Sequence, residues 1–437
     1  MRKIMLLLAV LVVTCTVVFA GGNNQASRTT AAPGVSVVRW SFWGGEARIK
    51  NTQLAIDKFT QDTGIIVAAE PAPGTGDHFD KFRIQFAGGN AADIIQLGGD
   101  FSNLGLNDQI KTCAGIEGLL LPLDPYVKSG VLDISNVDAS AIQAGTRSGV
   151  LYALPVAANM PALAYNKALL QRVGAPLPKV SMTWAEFDAW LAQVQPRLPA
   201  GTYVLTDNSA TQTGSVFFGY WAGQNGTPMW DGTRTHLTAA EVQKYFEMWG
   251  RWRAAGYVPP ASVSADYAET NESTASIIAG KTAVVAIWSN QLINYQSATR
   301  DELDLIEYPN AAVTNGLWGQ MSQMMGINKN SRNPEAAAKF IGYRVTDPGV
   351  WKIMGADPGT PVTPDGRAAA ATSPEAQKIT AYLNVAGNHA SPRNPNMPND
   401  SEWNSSFYLI AQNVAYGRIT PAQGGQQVMD LINRLTR

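Results

Sequence analysis

The sequence contains few of the residues that define several common classes of protein. Its 437 residues include 3 histidines and 2 cysteines, and its 33 basic residues nearly balance its 34 acidic residues. This balance gives no electrostatic reason to expect a nucleic acid or an anionic membrane surface as partner. His78, His236 and His389 are far apart in the sequence and show no metal-ligand spacing. We therefore expect no metal, no cofactor and no nucleic acid.

Signals for catalysis are also scarce. No nucleophile elbow occurs in the sequence, and the segment "GTGDHF" lacks the Gly-Lys-Ser/Thr ending of a phosphate-binding loop. Acidic residues are common, so the sequence is compatible with the pair of catalytic carboxylates that a glycosidase requires. Nothing in the sequence singles out two of them. The sequence therefore favours a binding protein over an enzyme.

Long apolar runs are confined to the N-terminus. Two basic residues precede an apolar stretch from Ile4 to Ala20, and "VFA" before "GG" offers a small-residue cleavage site. The pattern predicts a secretory signal peptide over residues 1–20 and a secreted or periplasmic protein. A lipid anchor on Cys15 is the less favoured alternative, because Thr14 suits such a site poorly and the apolar run continues beyond it. No later stretch approaches the roughly 20 apolar residues that a membrane span requires.

The chain that remains after the signal peptide must fold without an internal disulfide. Cys113 is its only cysteine, and we expect this residue to be structural. A length of 437 residues is too great for one small core, so two domains are expected. Residues 21–36 are small and polar, which predicts a flexible leader before the first domain.

From residue 37 the sequence alternates between strand and helix patterns. This rhythm predicts an α/β fold with a mostly parallel sheet and helices on both of its faces. A second region of the same type follows, and capping boxes at Thr183 with Glu186 and at Thr238 with Glu241 begin two of its helices. The first predicted elements are the strand "VVRWSFW", the helix "RIKNTQLAIDKFTQDTG", the strand "IIVAAE", a helix around "DHFDKFRIQFAGG" and the strand "DIIQL".

Residues 149–170 lie between the two regions and contain no charged residue before Lys167. They consist of two short extended runs that meet at Ala157, Ala158 and Asn159. A buried crossing between domains would explain the pattern, and so would an ordinary hairpin.

Seven segments, in their order along the chain, carry a resemblance to one family. They are "RWSFWGG", "FRIQFAGGNAADIIQL", "GVLYALPVAANMPALAYNKALLQRVG", "TWAEFDAW", "GKTAVVAIWSNQ", "NPEAAAKFIGYRVTDPGV" and "GRITPAQGGQQVMDLI". Through them the chain resembles the bacterial periplasmic sugar-binding proteins that serve ABC importers, the extracellular solute-binding family that includes the maltose-binding type. The resemblance covers nearly the whole chain after the leader.

The resemblance implies a two-lobed periplasmic-binding-protein fold, with the ligand in a cleft and a hinge between the lobes. It also implies that each lobe is discontinuous in sequence. We expect residues 37–156 with about 280–330 to form the first lobe, and residues 157–279 with about 331–437 to form the second. The segment "VAANMP" would be the first crossing between them.

A sugar presents an apolar C–H face, which aromatic rings cover, and a rim of hydroxyl groups, which amides and carboxylates bind. Trp43, Asp100 and Trp288 lie at or just after predicted strand ends, where open α/β sheets usually place ligands. Core packing is the alternative for each ring, helix capping for Asp100 and a turn for Asn159. The candidates are Trp43, Gly44, Asp100, Asn159, Trp288, Asn290 and Trp318, with Trp221, Trp230 and Trp403 as weaker candidates from the second lobe.

These expectations combine into one hypothesis, a secreted, monomeric carbohydrate receptor that delivers its ligand to the membrane subunits of an ABC importer. A neutral oligosaccharide is favoured, because no cluster of Arg or Lys adjoins the candidate residues in the sequence. A secreted glycoside-active enzyme and a glycan adhesin are the alternatives.

Overall fold

The computed structural model describes residues 36–73, 75–98, 118–211, 214–224, 229–267, 274–310, 318–387 and 397–436. The predicted signal peptide, the leader up to residue 35, Asp100 and Cys113 lie outside the described residues. Among the described helices, none combines the length and the apolar character that a transmembrane span requires.

Strands and helices alternate along most of the described chain. The strands are β1 (Val37–Trp43), β2 (Ile66–Ala72), β3 (Ile94–Leu97), β4 (Thr146–Arg147), β5 (Val150–Leu151), β6 (Ala153–Asn159), β7 (Pro161–Asn166), β8 (Tyr203–Leu205), β9 (Thr282–Trp288), β10 (Leu303–Ile306), β11 (Gln320–Ile327) and β12 (Thr360–Pro361). The helices are α1 (Glu46–Thr63), α2 (Thr75–Ala87), α3 (Asp124–Lys128), α4 (Ala139–Ala144), α5 (Lys167–Arg172), α6 (Trp184–Val194), α7 (Gly214–Gln224), α8 (Ala239–Ala254), α9 (Ala261–Ser264), α10 (Leu292–Ser297), α11 (Pro334–Thr346), α12 (Pro348–Met354), α13 (Pro364–Ala370), α14 (Pro374–Gly387), α15 (Asp400–Ala415) and α16 (Pro421–Leu435).

Local sequence signals explain where several of these elements begin. The strand "VVRWSFW" forms β1 as predicted, with Val38 and the alternate residues after it turned into the core. At the start of α6, Thr183 and Glu186 each bind the backbone N–H of the other, and Thr238 and Glu241 do the same at α8. Both capping boxes are therefore confirmed.

The first sheet has the strand order β12-β6-β11-β3-β1-β2. Strands β1, β2, β3 and β6 run in one direction, while β11 and β12 run in the other. The C-terminal ends of β1, β2, β3 and β6 therefore meet the start of β11 at one edge of the sheet, which we call the first-lobe edge. It consists of Trp43, Ala72, Leu97, Asn159 and Gln320.

The second sheet has the order β10-β7-β9-β8. Strand β7 begins at Pro161, one residue after β6 leaves the first sheet, and it pairs antiparallel with β9 so that Pro161 faces Trp288. Residues 153–166 are therefore a crossing between two sheets and not a hairpin, because β6 and β7 do not pair with each other. We call Pro161 and Trp288 the second-lobe edge, which adjoins the crossing at Met160.

Each sheet lies in its own hydrophobic core, which gives the two lobes. In the first lobe, Val38 and Phe42 of β1 pack with Phe340 of α11 and Trp351 of α12. In the second lobe, β7 and β9 are covered by helices that include α6, α7, α8, α15 and α16. The two-lobed α/β fold expected from the sequence is thus confirmed.

The boundaries of the lobes differ from those expected. Strand β9 was expected to lie in the first lobe with the rest of residues 280–330, but it pairs with β7 and β8 of the second sheet. The chain rejoins the first lobe only at β11, remains there through α13, and crosses again before α14, whose Ala376 and Ile379 lie in the second core. A buried apolar strand such as β9 fits either sheet equally well by composition, so its pairing decides its lobe.

Candidate functional site

The first-lobe edge is shaped around a glycine. Gly44 follows Trp43, is buried, and donates its N–H to the Ala72 carbonyl oxygen at 3.0 Å. A Cβ atom at Gly44 would lie 2.6 Å from Cδ of Arg48, so only glycine allows the Arg48 side chain to lie against this backbone. The candidate position Gly44 thus serves to place a cation beside Trp43.

Trp43 presents one part of its ring to this edge and packs the rest against α2. Its ring centroid is 5.2 Å from that of His78 and 5.7 Å from that of Phe79, and the residue is half-buried. His78 is fully buried; Nε2 lies 2.8 Å from the Gln96 carbonyl oxygen and Nδ1 lies 3.4 Å from Oγ of Ser41. Burial lowers the pKa of His78 to about 4, so the ring is neutral at pH 7. A neutral ring supports Trp43 without adding charge.

The second lobe carries an aromatic row made of Trp288, Trp318, Tyr220 and Tyr308. Successive ring centroids are 6.1, 5.2 and 5.4 Å apart. Trp288 and Trp318 are half-buried, while Tyr220 and Tyr308 are 1% and 4% exposed. The row therefore runs from the surface beside the crossing into the core, so that the two tryptophans are held by rings behind them.

The residues after Trp288 fix the crossing. The N–H of Ser289 donates to the Met160 carbonyl oxygen at 2.8 Å, and Oγ of Ser289 accepts from the Met160 N–H at 3.3 Å. Oε1 of Gln291 accepts from the Trp288 N–H at 2.8 Å. These bonds hold Trp288 at a fixed place beside the segment that joins the lobes.

Asn290 forms a bond between the two lobes. Its Nδ2 donates to the backbone carbonyl oxygen of Asp357 at 2.8 Å, and Asp357 belongs to the first lobe. The Asp357 carboxylate in turn accepts from Nε of Arg48 at 2.6 Å and from Nη2 at 3.2 Å. We call Arg48, Asp357 and Asn290 the interlobe bridge. In this structure the Asn290 amide is used between lobes.

Asn159 ends β6 at the first-lobe edge with its side chain 5% exposed. Its Oδ1 has no hydrogen-bond partner among the described residues. Gly359 packs against it with φ of +125°, and a Cβ atom there would lie 2.7 Å from Oδ1. An unpaired buried carbonyl costs about 1–3 kcal/mol. A hydrogen-bond donor that reaches Oδ1 of Asn159 would remove this cost.

The comparison with known proteins now gives the family. The family model described as bacterial extracellular solute-binding protein matches residues 55–384, which is most of the chain. The chain belongs to this family. The family resemblance stated from the seven sequence segments is thereby confirmed.

Solved structures of other solute-binding proteins share the fold. An extracellular solute-binding protein of family 1 from Alicyclobacillus acidocaldarius is 27% identical with a TM-score of 0.70, over 93% of this chain and 100% of that chain. A periplasmic oligogalacturonide-binding protein from Yersinia enterocolitica, in complex with saturated digalacturonic acid, is 22% identical with a TM-score of 0.77, over 92% and 100%. An ABC substrate-binding protein from Listeria monocytogenes, in complex with cycloalternan, is 18% identical with a TM-score of 0.74, over 92% and 98%.

Two of the weaker candidates lie in the core of this solute-binding protein. Trp403 is 1% exposed and its ring lies 5.3 Å from that of Phe407, while Trp230 is 7% exposed. Both rings belong to the hydrophobic core of the second lobe. The spacing of Trp403, Phe407 and Ala411, one helical turn apart each, could have indicated a buried helix face.

The remaining candidates divide between packing and the site. Trp221 is half-buried and packs 5.4 Å from Tyr245 and 6.3 Å from Phe218, ring to ring. Trp43, Trp288, Trp318 and Asn159 lie at or beside the two strand edges, as expected.

Several contributors to the site carry no signal in the sequence. Arg48 and Asp357 are 309 residues apart and meet only in the fold, and Tyr220 joins the aromatic row from within α7. Among the described residues no cluster of three or more His, Cys, Asp or Glu side chains is arranged to hold a metal ion.

Proposed function

We propose that this protein is the ligand-binding component of an ABC importer and that it binds a carbohydrate between its lobes. One observation carries the proposal: half-buried tryptophans lie on both sides of the crossing. Trp43 ends β1 in the first lobe, and Trp288 ends β9 in the second lobe with the ring of Trp318 beside it. Half-buried rings with rigid support are suited to the apolar face of a sugar.

Hydrogen bonding complements the stacking. Oδ1 of Asn159 is a buried acceptor for a ligand hydroxyl, and burial gives such a bond more weight than it has at the surface. Asn290, expected from the sequence to bind hydroxyls, takes a different role in the proposal. It joins the lobes through Asp357, so it sets how readily the cleft opens.

Relatives in the fold support the ligand class. The proteins from Yersinia enterocolitica and Listeria monocytogenes were solved in complex with digalacturonic acid and with cycloalternan, both carbohydrates. The proposal does not include the neutral character of the oligosaccharide that the sequence favoured. That expectation rested on the absence of a cation near the candidate residues, but Arg48 lies against Gly44.

The mechanism is closure of the lobes around the ligand. The connecting segment at Met160 acts as the hinge, and a ligand that contacts both tryptophan sets favours the closed form. The closed form would then present the ligand to the membrane subunits. We also propose that residues 1–20 direct export and are removed, and that the receptor is a monomer.

Calorimetric titration of the mature protein with a panel of neutral and acidic oligosaccharides tests the proposal. We expect micromolar or tighter binding of at least one sugar, which chromatography then recovers intact. Recovery of cleaved products would support a glycoside-active enzyme instead. Binding to polymer alone, without compaction in small-angle X-ray scattering, would support an adhesin.

A further inference from the structure

Arg344 is a buried cation in the first lobe. It lies on α11, is 2% exposed, and its Nε and Nη1 have no hydrogen-bond partner among the described residues. Strand β11 runs away from the first-lobe edge and α11 returns toward it, so the last turn of α11, which carries Arg344, lies at the end of the lobe that holds the site.

The neighbours of Arg344 only partly compensate its charge. Its guanidinium carbon lies 4.8 Å from the centroid of the Trp351 ring, a cation–π contact that engages one face of the group but none of its in-plane N–H donors. Burial and the nearby Arg48 lower the pKa of Arg344 to about 9, while Asp357 opposes the change. The group is still charged at pH 7.

The local charge is unbalanced because two cations share one anion. Asp357 is the carboxylate that acts on Arg344, and it is already bound by Arg48 at 2.6 and 3.2 Å. A buried guanidinium with unpaired donors is costly, and a methionine would fill the same space at lower cost. An anion from outside the described residues would remove this cost.

Arg48, which belongs to the interlobe bridge, gives such an anion a route toward Arg344. Arg48 is 15% exposed in its side chain and packs against Gly44, next to Trp43. The bond from Asn290 joins Asp357 to the second lobe, so Arg48 and Asp357 lie where the two lobes meet.

We propose that the ligand is an acidic sugar, whose carboxylate binds the cationic pair Arg344 and Arg48 while its ring stacks on the tryptophans. This inference rests on the proposed function, since it assigns a ligand class to the same site. Arg, with its planar fork of donors, is suited to carboxylate recognition.

Matched ligands test the inference on the unaltered protein. Isothermal titration would compare short uronic-acid oligosaccharides, among them digalacturonate, with their methyl esters, which keep the sugar skeleton and lose the charge. We expect at least one acid to bind at least 30-fold more tightly than its ester, and the difference to shrink as salt is raised. Equal affinity for acid and ester, or binding of neutral sugars only, overturns the inference and leaves the proposed function standing. Binding of no sugar in either set or in the neutral panel overturns both.

A variant assigns the effect to the residue. Arg344→Met removes the charge and keeps much of the volume; we expect it to lose at least tenfold in affinity for the acid and to lose much less for the ester. Arg251→Met is the matched control, because Arg251 is exposed on α8 of the second lobe. Thermal unfolding confirms that each variant is folded. Unchanged discrimination in a folded Arg344→Met protein would make Arg344 a structural residue and overturn the inference.

Discussion

The first-lobe edge and the second-lobe edge carry different kinds of side chain. The first-lobe edge carries one tryptophan, Trp43, whose ring packs on the buried His78. The same lobe holds the buried amide of Asn159 and the cations Arg48 and Arg344. The edge of the second lobe leads into a row of four aromatic rings. Under the proposed function, the first lobe supplies polar and charged groups to the ligand and the second lobe supplies a stacking surface.

A related contrast exists inside the second lobe, where tryptophans serve either the core or the site. The largest effect we predict is on stability: Trp403→Ala should lower the free energy of unfolding by about 3–5 kcal/mol, because it leaves a cavity beside Phe407. Urea denaturation measures the change. A loss below about 1 kcal/mol would mean that Trp403 is not a core residue.

The polar character of the first lobe gives a pH dependence. His78 titrates near pH 6.5 when unfolded and near pH 4 when folded, so the unfolded chain binds more protons between these values. Its contribution to stability is complete above pH 6.5 and is lost as the pH falls, by about 3 kcal/mol at pH 4. His78→Gln should remove this part of the acid destabilisation, measured by urea denaturation at pH 7 and pH 4.5. Equal acid sensitivity in both proteins would contradict the neutral, buried ring.

Stacking in the second lobe should dominate affinity. Trp288→Ala is expected to weaken ligand binding by about 2 kcal/mol, or roughly 30-fold, while changing stability little, because the ring is half-buried at a surface. Calorimetry with the best sugar from the panel provides the measurement. Trp221→Ala is the matched control, since this ring packs on Tyr245 and Phe218. If Trp288→Ala instead lowers stability and leaves affinity intact, Trp288 belongs to the core.

The smallest effect concerns the contact between the lobes. Asn290→Ala removes one hydrogen bond, worth about 1 kcal/mol, and should shift the unliganded protein toward the open form. Small-angle X-ray scattering should show a larger radius of gyration without ligand. Asn136→Ala is the control, because its bond to Asp365 lies within the first lobe. The same radius in both variants would show that the bridge does not set the lobe arrangement.

Local patterns predicted much of the fold. The strand β1 and the capping boxes of α6 and α8 were predicted, because each depends on residues within one segment. Candidate rings at strand ends, such as Trp43 and Trp288, were found by the same reasoning. For residues 149–170 the local pattern fitted a crossing and a hairpin equally, and only the sheet pairing decided between them. The lobe that contains β9 was predicted wrongly, because the sequence of an apolar strand does not specify its partner strands.

The sequence by itself indicated the family through the order of seven segments, and it placed Trp43 and Trp288 at strand ends through periodicity. The two-lobed class followed from the resemblance to that family. Only the tertiary structure decided which of the candidate rings are buried in the core, that Asn290 joins the lobes, and that Arg48 and Arg344 share Asp357. The reason is distance in sequence: these groups are tens to hundreds of residues apart, and the burial and charge balance that give them their roles exist only once both lobes have packed.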